Sequence, residues 1–289
     1  MSENISSEKN LTLGGCLYLV ATPIGNLSDM SERALKVLSE VDFIAAEDTR
    51  NSLRLLTHFG ISKPMISYFE HNKRERGQTI VQRLAQGESC ALITDAGTPA
   101  ISDPGEDLVR MCADNNITVI SVPGACAAIC ALTLSGLATS RFCFEGFLPT
   151  AKAERRTRLE ALKSEERTMI FHEAPHKLKT TLSDFSVAFG ETRGIALCRE
   201  LTKLNEQTIR TTIGEAIKYY EENQPRGEYV LVVSGSETTE SNCFWQEMTI
   251  EEHLEYYTNN GIDLRDAIKN VAHDRGVPKN DIYKKVHQK

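Results

Sequence analysis

Short apolar runs that break into loops rich in Gly, Pro and Asp recur along the first half of the chain. They are YLVATPIGNLSD at 18–29, LITDAGTPAISDPG at 92–105 and VISVPGACAA at 119–128. Such a run predicts a buried parallel strand that opens at its carboxyl end into a tight loop. Open α/β sheets bind their ligands at this edge. Three such strands therefore predict one ligand crevice and favour an enzyme.

Helical patterns alternate with these strands, which predicts a mostly parallel sheet. The predicted strands are 16–23, 41–46, 90–94 and 117–124, and the predicted helices are 31–39, one from about 49, 79–86, 106–115 and 125–136. We expect Ser28 or Asp29 to cap the first helix, and Asp103 to act as a cap before Pro104, because short polar side chains satisfy free amides there.

The second half predicts another α/β unit and then a helical one. Residues 137–156 are interpreted as the connection between two domains, and a polar segment without a predicted helix or strand continues through Thr212. The predicted strands are 168–172, 194–199 and 229–234, and the predicted helices are 177–189, 214–222, 250–259, 263–275 and 279–287. The last two helices and their Gly276 turn resemble a helix-turn-helix. The expected domains are a flexible tail (1–15), two α/β domains (16–136 and 137–236) and a small, partly basic helical domain (237–289).

Composition and charge narrow the classes of partner. The 289 residues are 40% hydrophobic and 25% charged, which is typical of globular proteins, and the net charge of -7 argues against unspecific binding to polyanions. Three basic clusters, at 73–76, 152–158 and 279–289, predict either solvated helix faces or an RNA or phosphate partner. No apolar run approaches the roughly 20 residues of a membrane span, and the first ten residues are polar. We therefore expect no membrane anchor or signal peptide, and a cytoplasmic protein.

Cysteine and histidine spacing gives no metal motif. The chain has eight cysteines, with no CxxC pair and no Cys/His cluster at zinc spacing. Most lie in apolar segments and are expected to be small buried hydrophobic residues. Cys126 and Cys130 would share a helix face, but free thiols are favoured over a disulfide or a metal in a cytosolic chain.

Acids that follow predicted strands are the candidates for chemistry, since the chain lacks Walker, GxSxG, HExxH and GxGxxG motifs. Glu47, Asp48 and Asp95 come directly after apolar runs, so we expect them to face the crevice, where a carboxylate can bind a ribose or an amino group. Arg50 could clamp a phosphate or form an ion pair with Asp48 or Glu47. Two histidines, His71 and His176, could exchange protons near neutral pH or have a structural role.

The motifs VATPIGNLSDMSERAL, AAEDTR, LITDAGTPAISDPG, VPGACAA, FEGFLP, FHEAPHKL and GEYVLVVSG occur in unbroken order between Cys16 and Gly235. This series resembles the tetrapyrrole methylase family, and is most similar to its RNA-modifying members. The resemblance implies a homodimeric enzyme of two α/β domains that binds S-adenosyl-L-methionine in the cleft between them. It further implies 2'-O-methylation of a cytidine in the decoding region of 16S ribosomal RNA, within the small ribosomal subunit.

The same resemblance implies which residues bind the methyl donor. They lie in the loops after the predicted strands and at the strand ends of the second domain: Pro23, Gly25, Asp95, Gly97, Thr98, Pro99, Ile101, Pro123, Cys126, Ala127, Glu173, Leu201 and Glu228. Two positions depart from the family pattern. Thr98 stands where corrin-modifying members carry Asp, and this difference weakens the case for a tetrapyrrole substrate. Cys126 replaces the Ser or Thr of a PGxxS segment, which removes one hydroxyl contact.

Methyl transfer to a ribose oxygen needs a group that orients the hydroxyl or accepts its proton. We expect Asp48 or Glu47 to do so, with Arg50 holding the adjacent phosphate. Two alternatives remain at this point: a methyltransferase that acts on a corrin precursor, and a non-catalytic protein that binds RNA or senses the donor.

Overall fold

The structure, a computed structural model, describes residues 12–236, 245 and 248–287, without the side chains of 286 and 287. Most of the predicted N-terminal tail, Cys243 and Lys289 of the last basic cluster lie outside this part. The described residues divide between two compact units, one up to Gly235 and one from Ser236 onward.

A five-stranded parallel sheet forms the first half of the larger unit. Its strands are β1 (Cys16–Val20), β2 (Phe43–Ala46), β3 (Met65–Ser67), β4 (Cys90–Ile93) and β5 (Thr118–Val122), in the order β3-β2-β4-β1-β5. All four pairings are parallel. Every residue of β2 and β4 is buried, as expected for central strands that are covered on both faces. The predicted parallel sheet is confirmed, with β3 as an additional short edge strand.

Four helices alternate with these strands along the chain and a fifth follows β5: α1 (Glu32–Glu40), α2 (Thr49–His58), α3 (Lys73–Ala85), α4 (Gly105–Asp114) and α5 (Ala127–Ser135). The prediction that Ser28 or Asp29 caps α1 is wrong. Both residues lie in a 3-10 turn, and Ser31 is the cap, accepting a hydrogen bond from the Ala34 amide. The N-cap position of α4 is Pro104, and Asp103 takes part in the way predicted for it, because its Oδ1 accepts a hydrogen bond from the Gly105 amide at 2.7 Å.

The second sheet is mixed. Its strands are β6 (Phe142–Phe147), β7 (Thr168–Glu173), β8 (Gly194–Arg199), β9 (Gln207–Thr212) and β10 (Tyr229–Val233), in the order β6-β7-β10-β8-β9. Only the β6–β7 pairing is parallel. The interpretation of 137–156 as a connection is wrong, since it contains β6 and the start of α6 (Lys152–Ala161). β6 and β9 are edge strands with little burial, so their sequences lack the continuous apolar run of a central strand.

Two further helices, α7 (Leu178–Phe189) and α8 (Ile213–Glu222), cover one face of the second sheet. The other face packs against α5, where Ala131 and Leu132 meet Ile170 and Val232. The small side chains of α5 allow this close approach. α5 thus precedes the predicted domain boundary after residue 136 in the chain but packs on the second sheet. The boundary itself stays a prediction.

The described part of the smaller unit contains α9 (Ile250–Asn259), α10 (Leu264–Asp274) and α11 (Lys279–His287), close to their predicted bounds. Thr249 and Glu252 form a capping box at the start of α9. Leu254, Ile268 and Ile282 contribute to its core. Within the part of the chain that the structure describes, no helix has the length and apolar character needed to cross a bilayer.

Candidate functional site

Hydrogen bonds join three loops at the carboxyl edge of the first sheet. Thr22 and Gly97 exchange two backbone hydrogen bonds, at 2.9 and 3.1 Å, which connect the loops after β1 and β4. The Thr98 hydroxyl donates to the Ala125 carbonyl at 3.0 Å, which adds the loop after β5. Gly97 has a φ of +85°, a conformation that favours glycine. The three loops therefore lie together, because β4, β1 and β5 are neighbours in the sheet.

The first cavity, of about 450 Å³, lies between these loops and the second sheet. One wall is a row of side chains that are register neighbours across the sheet: Phe147, His172, Val230 and Cys198. Ile24, Ala96 and Ala127 approach from the loops and from α5. Four residues predicted to bind the donor line this cavity: Ala127, Glu173, Leu201 and Glu228.

The second cavity, of about 200 Å³, lies beside α2. It is lined by Pro23, Gly25, Leu27, Asn51, Ser52, Leu55, Thr94 and Asp95, of which Pro23, Gly25 and Asp95 were predicted to bind the donor. In the loops after β1 and β4, residues that are neighbours in sequence line different cavities. Residues 23–25 and 94–96 thus form a shared wall between the two cavities.

Six other residues that were predicted to bind the donor line neither cavity: Gly97, Thr98, Pro99, Ile101, Pro123 and Cys126. Gly97 and Thr98 instead make the hydrogen bonds that hold the loops together. Cys126 is half-buried at the N-terminal end of α5, while Ile101 is exposed. Their assignment to the donor site remains a prediction.

The acids of the first cavity already have partners. Glu173 is 5% exposed, and its carboxylate accepts hydrogen bonds from the Thr181 hydroxyl and the Ala174 amide. Glu228 is exposed and forms an ion pair with Lys203 at 2.7 Å. Lys203 also pairs with Glu200 at 3.0 Å, so the cavity has a charged rim next to its apolar wall.

Asp48 caps α2 and forms an ion pair. Its carboxylate accepts from the Arg50 amide at 2.8 Å and from Arg50 Nη2 at 2.8 Å. The Arg50 guanidinium lowers the pKa of Asp48 to about 2. Of the two roles that the sequence left open for Arg50, the structure contains the ion pair, although the Arg50 side chain is 87% exposed. Glu47 Oε2 accepts from the Thr94 hydroxyl at 2.8 Å, which ties it to the shared wall.

Sequence reasoning missed His172, whose ring lines the first cavity. Its Nε2 is buried without a hydrogen-bond partner, and the ring lies edge-on to Phe144 and Phe147. Burial lowers the pKa of His172. The period of two along β7, which places residue 172 on the same face as Ile170, was the signal that could have identified it. The histidine considered from the same segment, His176, is exposed.

The seven described cysteines are free thiols, and four of them are buried, as expected: Cys16, Cys90, Cys112 and Cys198. Several cations of the first two basic clusters form ion pairs. Lys73 pairs with Asp107, Arg155 with Asp184 and Arg158 with Glu145. Those pairs favour solvated helix faces over an RNA or phosphate site for the first two clusters. In the third cluster, Lys284 and Lys285 are exposed.

Comparisons with known proteins agree with this architecture. The model of the family described as Tetrapyrrole (Corrin/Porphyrin) Methylases matches residues 16–217. A protein of Halalkalibacterium halodurans, named ribosomal RNA small subunit methyltransferase I, is 47% identical over 276 residues, which cover 95% of each chain. The protein of the same name from Bacillus subtilis is 48% identical over 278 residues, again 95% of each chain.

The fold is also found among solved structures. The uroporphyrin-III C-methyltransferase of Thermus thermophilus, in complex with S-adenyl homocysteine, superposes with a TM-score of 0.53. The match covers 75% of this chain and 96% of that one at 14% identity, so it shows the fold alone. The family model covers more than half of the chain, and the two relatives match nearly all of it. The chain therefore belongs to the tetrapyrrole methylase family.

Proposed function

We propose that this protein is an S-adenosyl-L-methionine-dependent methyltransferase of ribosomal RNA. The observation that carries the proposal is the 47–48% identity, over nearly the whole chain, to proteins named ribosomal RNA small subunit methyltransferase I. We propose further that the acceptor is the 2'-oxygen of a cytidine ribose in the decoding region of 16S ribosomal RNA. The family fold hosts more than one substrate class, so the acceptor must be argued from the site.

The first cavity fits the nucleoside part of the donor. Its volume of about 450 Å³ lies in the range of small-molecule sites. Val230, Leu201 and Ala127 provide apolar surface for a purine, and the rim of Lys203 and Glu228 provides charge for polar groups. When bound, the donor supplies a methyl group on a sulfonium, which can pass to an attacking oxygen in line with the carbon–sulfur bond.

Most of the rate should come from holding the acceptor oxygen close to that methyl group. Asp48 and Arg50 stand at the start of α2, the helix that lines the second cavity. We propose that Arg50 contacts the phosphate beside the acceptor ribose and that Asp48 orients the guanidinium. With a pKa of about 2, Asp48 is a weak base at neutral pH. Glu47 has an indirect role: it accepts a hydrogen bond from the Thr94 hydroxyl, and this bond holds the shared wall in position.

Two further properties belong to the proposed function, and the first of them is implied by the family resemblance. The enzyme is expected to be a homodimer, which sedimentation equilibrium of the full chain tests directly. It is expected to work in the cytoplasm, where small ribosomal subunits are assembled.

Two measurements test the proposed function. Calorimetry with S-adenosylhomocysteine should show binding, and methyl incorporation should occur with small ribosomal subunits but not with a corrin precursor. Methylated corrin, or binding of the nucleoside without turnover on any RNA, would refute it and favour one of the alternatives. Arg50→Ala should slow methylation about tenfold or more, whereas Arg54→Ala, which removes an exposed cation one turn further along α2, should have a smaller effect. Activity near wild type in both Asp48→Ala and Arg50→Ala would remove these two residues from the site.

A further inference from the structure

The second cavity differs from the first in the groups that it offers to a ligand. The first has an apolar wall of Phe147, Val230 and Cys198. The second is lined by Asp95, which carries a carboxylate, and by Asn51, which carries an amide. Asn51 Nδ2 donates to Asp95 Oδ2 at 3.3 Å, so the acid and the amide, on two different elements, meet in this cavity.

An acid beside an amide suits a sugar hydroxyl, because the carboxylate accepts the hydroxyl proton and the amide donates to the oxygen. The position along the chain is also informative. Asp95 lines the second cavity, while the next residue, Ala96, lines the first. A group held by Asp95 would therefore lie next to the shared wall, within one residue of the cavity that fits the donor.

The other acids nearby are less available. Asp48 is held by both the amide and the guanidinium of Arg50. Glu47 Oε2 already accepts from the Thr94 hydroxyl. Asp95 is exposed, and among the described residues only Asn51 donates a hydrogen bond to its carboxylate, at Oδ2, which leaves Oδ1 for a ligand.

We infer that the second cavity binds the acceptor ribose and that Asp95 is the catalytic residue that accepts its hydroxyl proton, with Asn51 donating a hydrogen bond to the same sugar. This inference rests on the proposed function. In the step, the O–H bond breaks and its proton passes to the Asp95 carboxylate. The freed electron pair forms the bond from oxygen to the methyl carbon, and the electron pair of the carbon–sulfur bond stays on sulfur. The positive charge of the sulfonium and the negative charge of the carboxylate are both neutralised.

Asp95→Asn tests the proton acceptor, because it preserves size while removing the basic oxygen. Single-turnover methylation of small ribosomal subunits should slow by about 10²- to 10⁴-fold, the usual contribution of a general base. If Asp95 serves the acceptor, affinity for S-adenosylhomocysteine, measured by calorimetry, should stay within twofold of wild type, whereas the prediction from the sequence that Asp95 binds the donor requires a larger loss. Asp29→Asn, which changes an exposed acid in the neighbouring loop, is the matched control and should methylate normally. A rate for Asp95→Asn within threefold of wild type would overturn the inference.

Leu55→Trp tests the cavity without relying on turnover, since Leu55 is half-buried and lines it. The larger side chain should fill the space and weaken binding of purified small ribosomal subunits, followed by co-sedimentation, more than tenfold. Donor affinity should not change. Leu53→Trp places the same side chain on an exposed part of α2, outside the cavity, and should bind like wild type.

Different results would exclude the proposed function and the acceptor site. If wild type neither binds S-adenosylhomocysteine nor methylates subunits, the proposed function is wrong. If wild type does both, while Leu55→Trp binds subunits as tightly as Leu53→Trp, the second cavity is not the acceptor site. Equal unfolding midpoints for the variants exclude misfolding as the cause, and Asp95→Asn remains a test should Leu55→Trp not fold.

Discussion

Gly25→Ala should disturb the site through a single methyl group. A Cβ at this position would stand 2.4 Å from Lys203 Cγ, 2.9 Å from Thr202 Oγ1 and 3.0 Å from the Leu201 carbonyl oxygen. Carbon atoms in contact need about 3.5–4.0 Å, so the Lys203 side chain must move by about 1 Å, and the Leu201 backbone by a few tenths of an ångström. Overpacking of this kind costs about 1–3 kcal/mol of unfolding free energy.

The displaced groups belong to the first cavity, which Lys203 and Leu201 line together with Ile24, the neighbour of Gly25. A misplacement of about 1 Å can cost about a hundredfold in rate. We expect Gly25→Ala to bind S-adenosylhomocysteine about tenfold more weakly in calorimetry, and to lose about a hundredfold in kcat/KM for methylation of small ribosomal subunits. Urea unfolding of the same samples gives the stability.

Gly60→Ala is the control for a loss of stability alone. Gly60 has a φ of +67° with nothing within 4 Å of a Cβ, so alanine there is strained by about 1–2 kcal/mol without touching the site. It should unfold more easily than wild type while its donor affinity is unchanged. If Gly25→Ala binds the donor as tightly as Gly60→Ala does, the contact between the two loops does not shape the donor site, and the reasoning is refuted.

Three further predictions concern stability and reactivity. Because the pKa of Asp48 is lowered to about 2, its contribution to stability should be complete above about pH 4 and disappear as the pH falls through 2; the difference in urea unfolding between wild type and Asp48→Ala should follow this course, and a constant difference down to pH 2 would contradict it. Phe171→Ala should lower the unfolding free energy by about 3–5 kcal/mol, because this ring is fully buried against Phe185 at 4.9 Å; a loss below 1 kcal/mol would show that the core collapses around the gap. Burial raises the pKa of the Cys90 thiol, so iodoacetamide at pH 8 should label the half-buried Cys126 well before Cys90, as peptide mass spectrometry can check; equal rates would mean that β4 opens readily.

The elements that could be predicted were those with a strong pattern of their own. Continuous apolar runs identified β1, β4 and β10, and the bounds of β8 and α9 agree with the prediction to the residue. β6 and β9 were missed because an edge strand is covered on one side only. Its side chains are half-exposed: the sequence of β9, QTIRTT, is as polar as a loop, and Glu145 and Gly146 interrupt the apolar residues of β6, FCFEGF. The prediction that Asp29 caps a helix failed for a related reason, since capping depends on where the helix begins and several polar residues precede α1.

The candidate site, too, could be predicted only in part from the sequence. Local sequence was enough to indicate that strand-end loops with Gly, Pro and Asp form a crevice, and the order of seven motifs was enough to indicate the family. Which residues line which cavity depended on tertiary structure. Asp95 and Ala96 are neighbours in sequence but line different cavities, and His172 meets Val230 only through the register of β7 and β10.

What the sequence determined by itself was the order of helices and strands apart from β3, β6, α6 and β9, the ends of the strands at which ligands bind, and the membership of a methylase family. These follow from short-range periodicity and from motifs that are read along the chain. The tertiary structure decided that α5 covers the second sheet, that Asp48 is occupied by Arg50, and that Asp95 and Asn51 meet across a cavity. Such contacts join elements that are far apart in the chain, and their geometry is set by strand order, register and packing, which no local pattern contains.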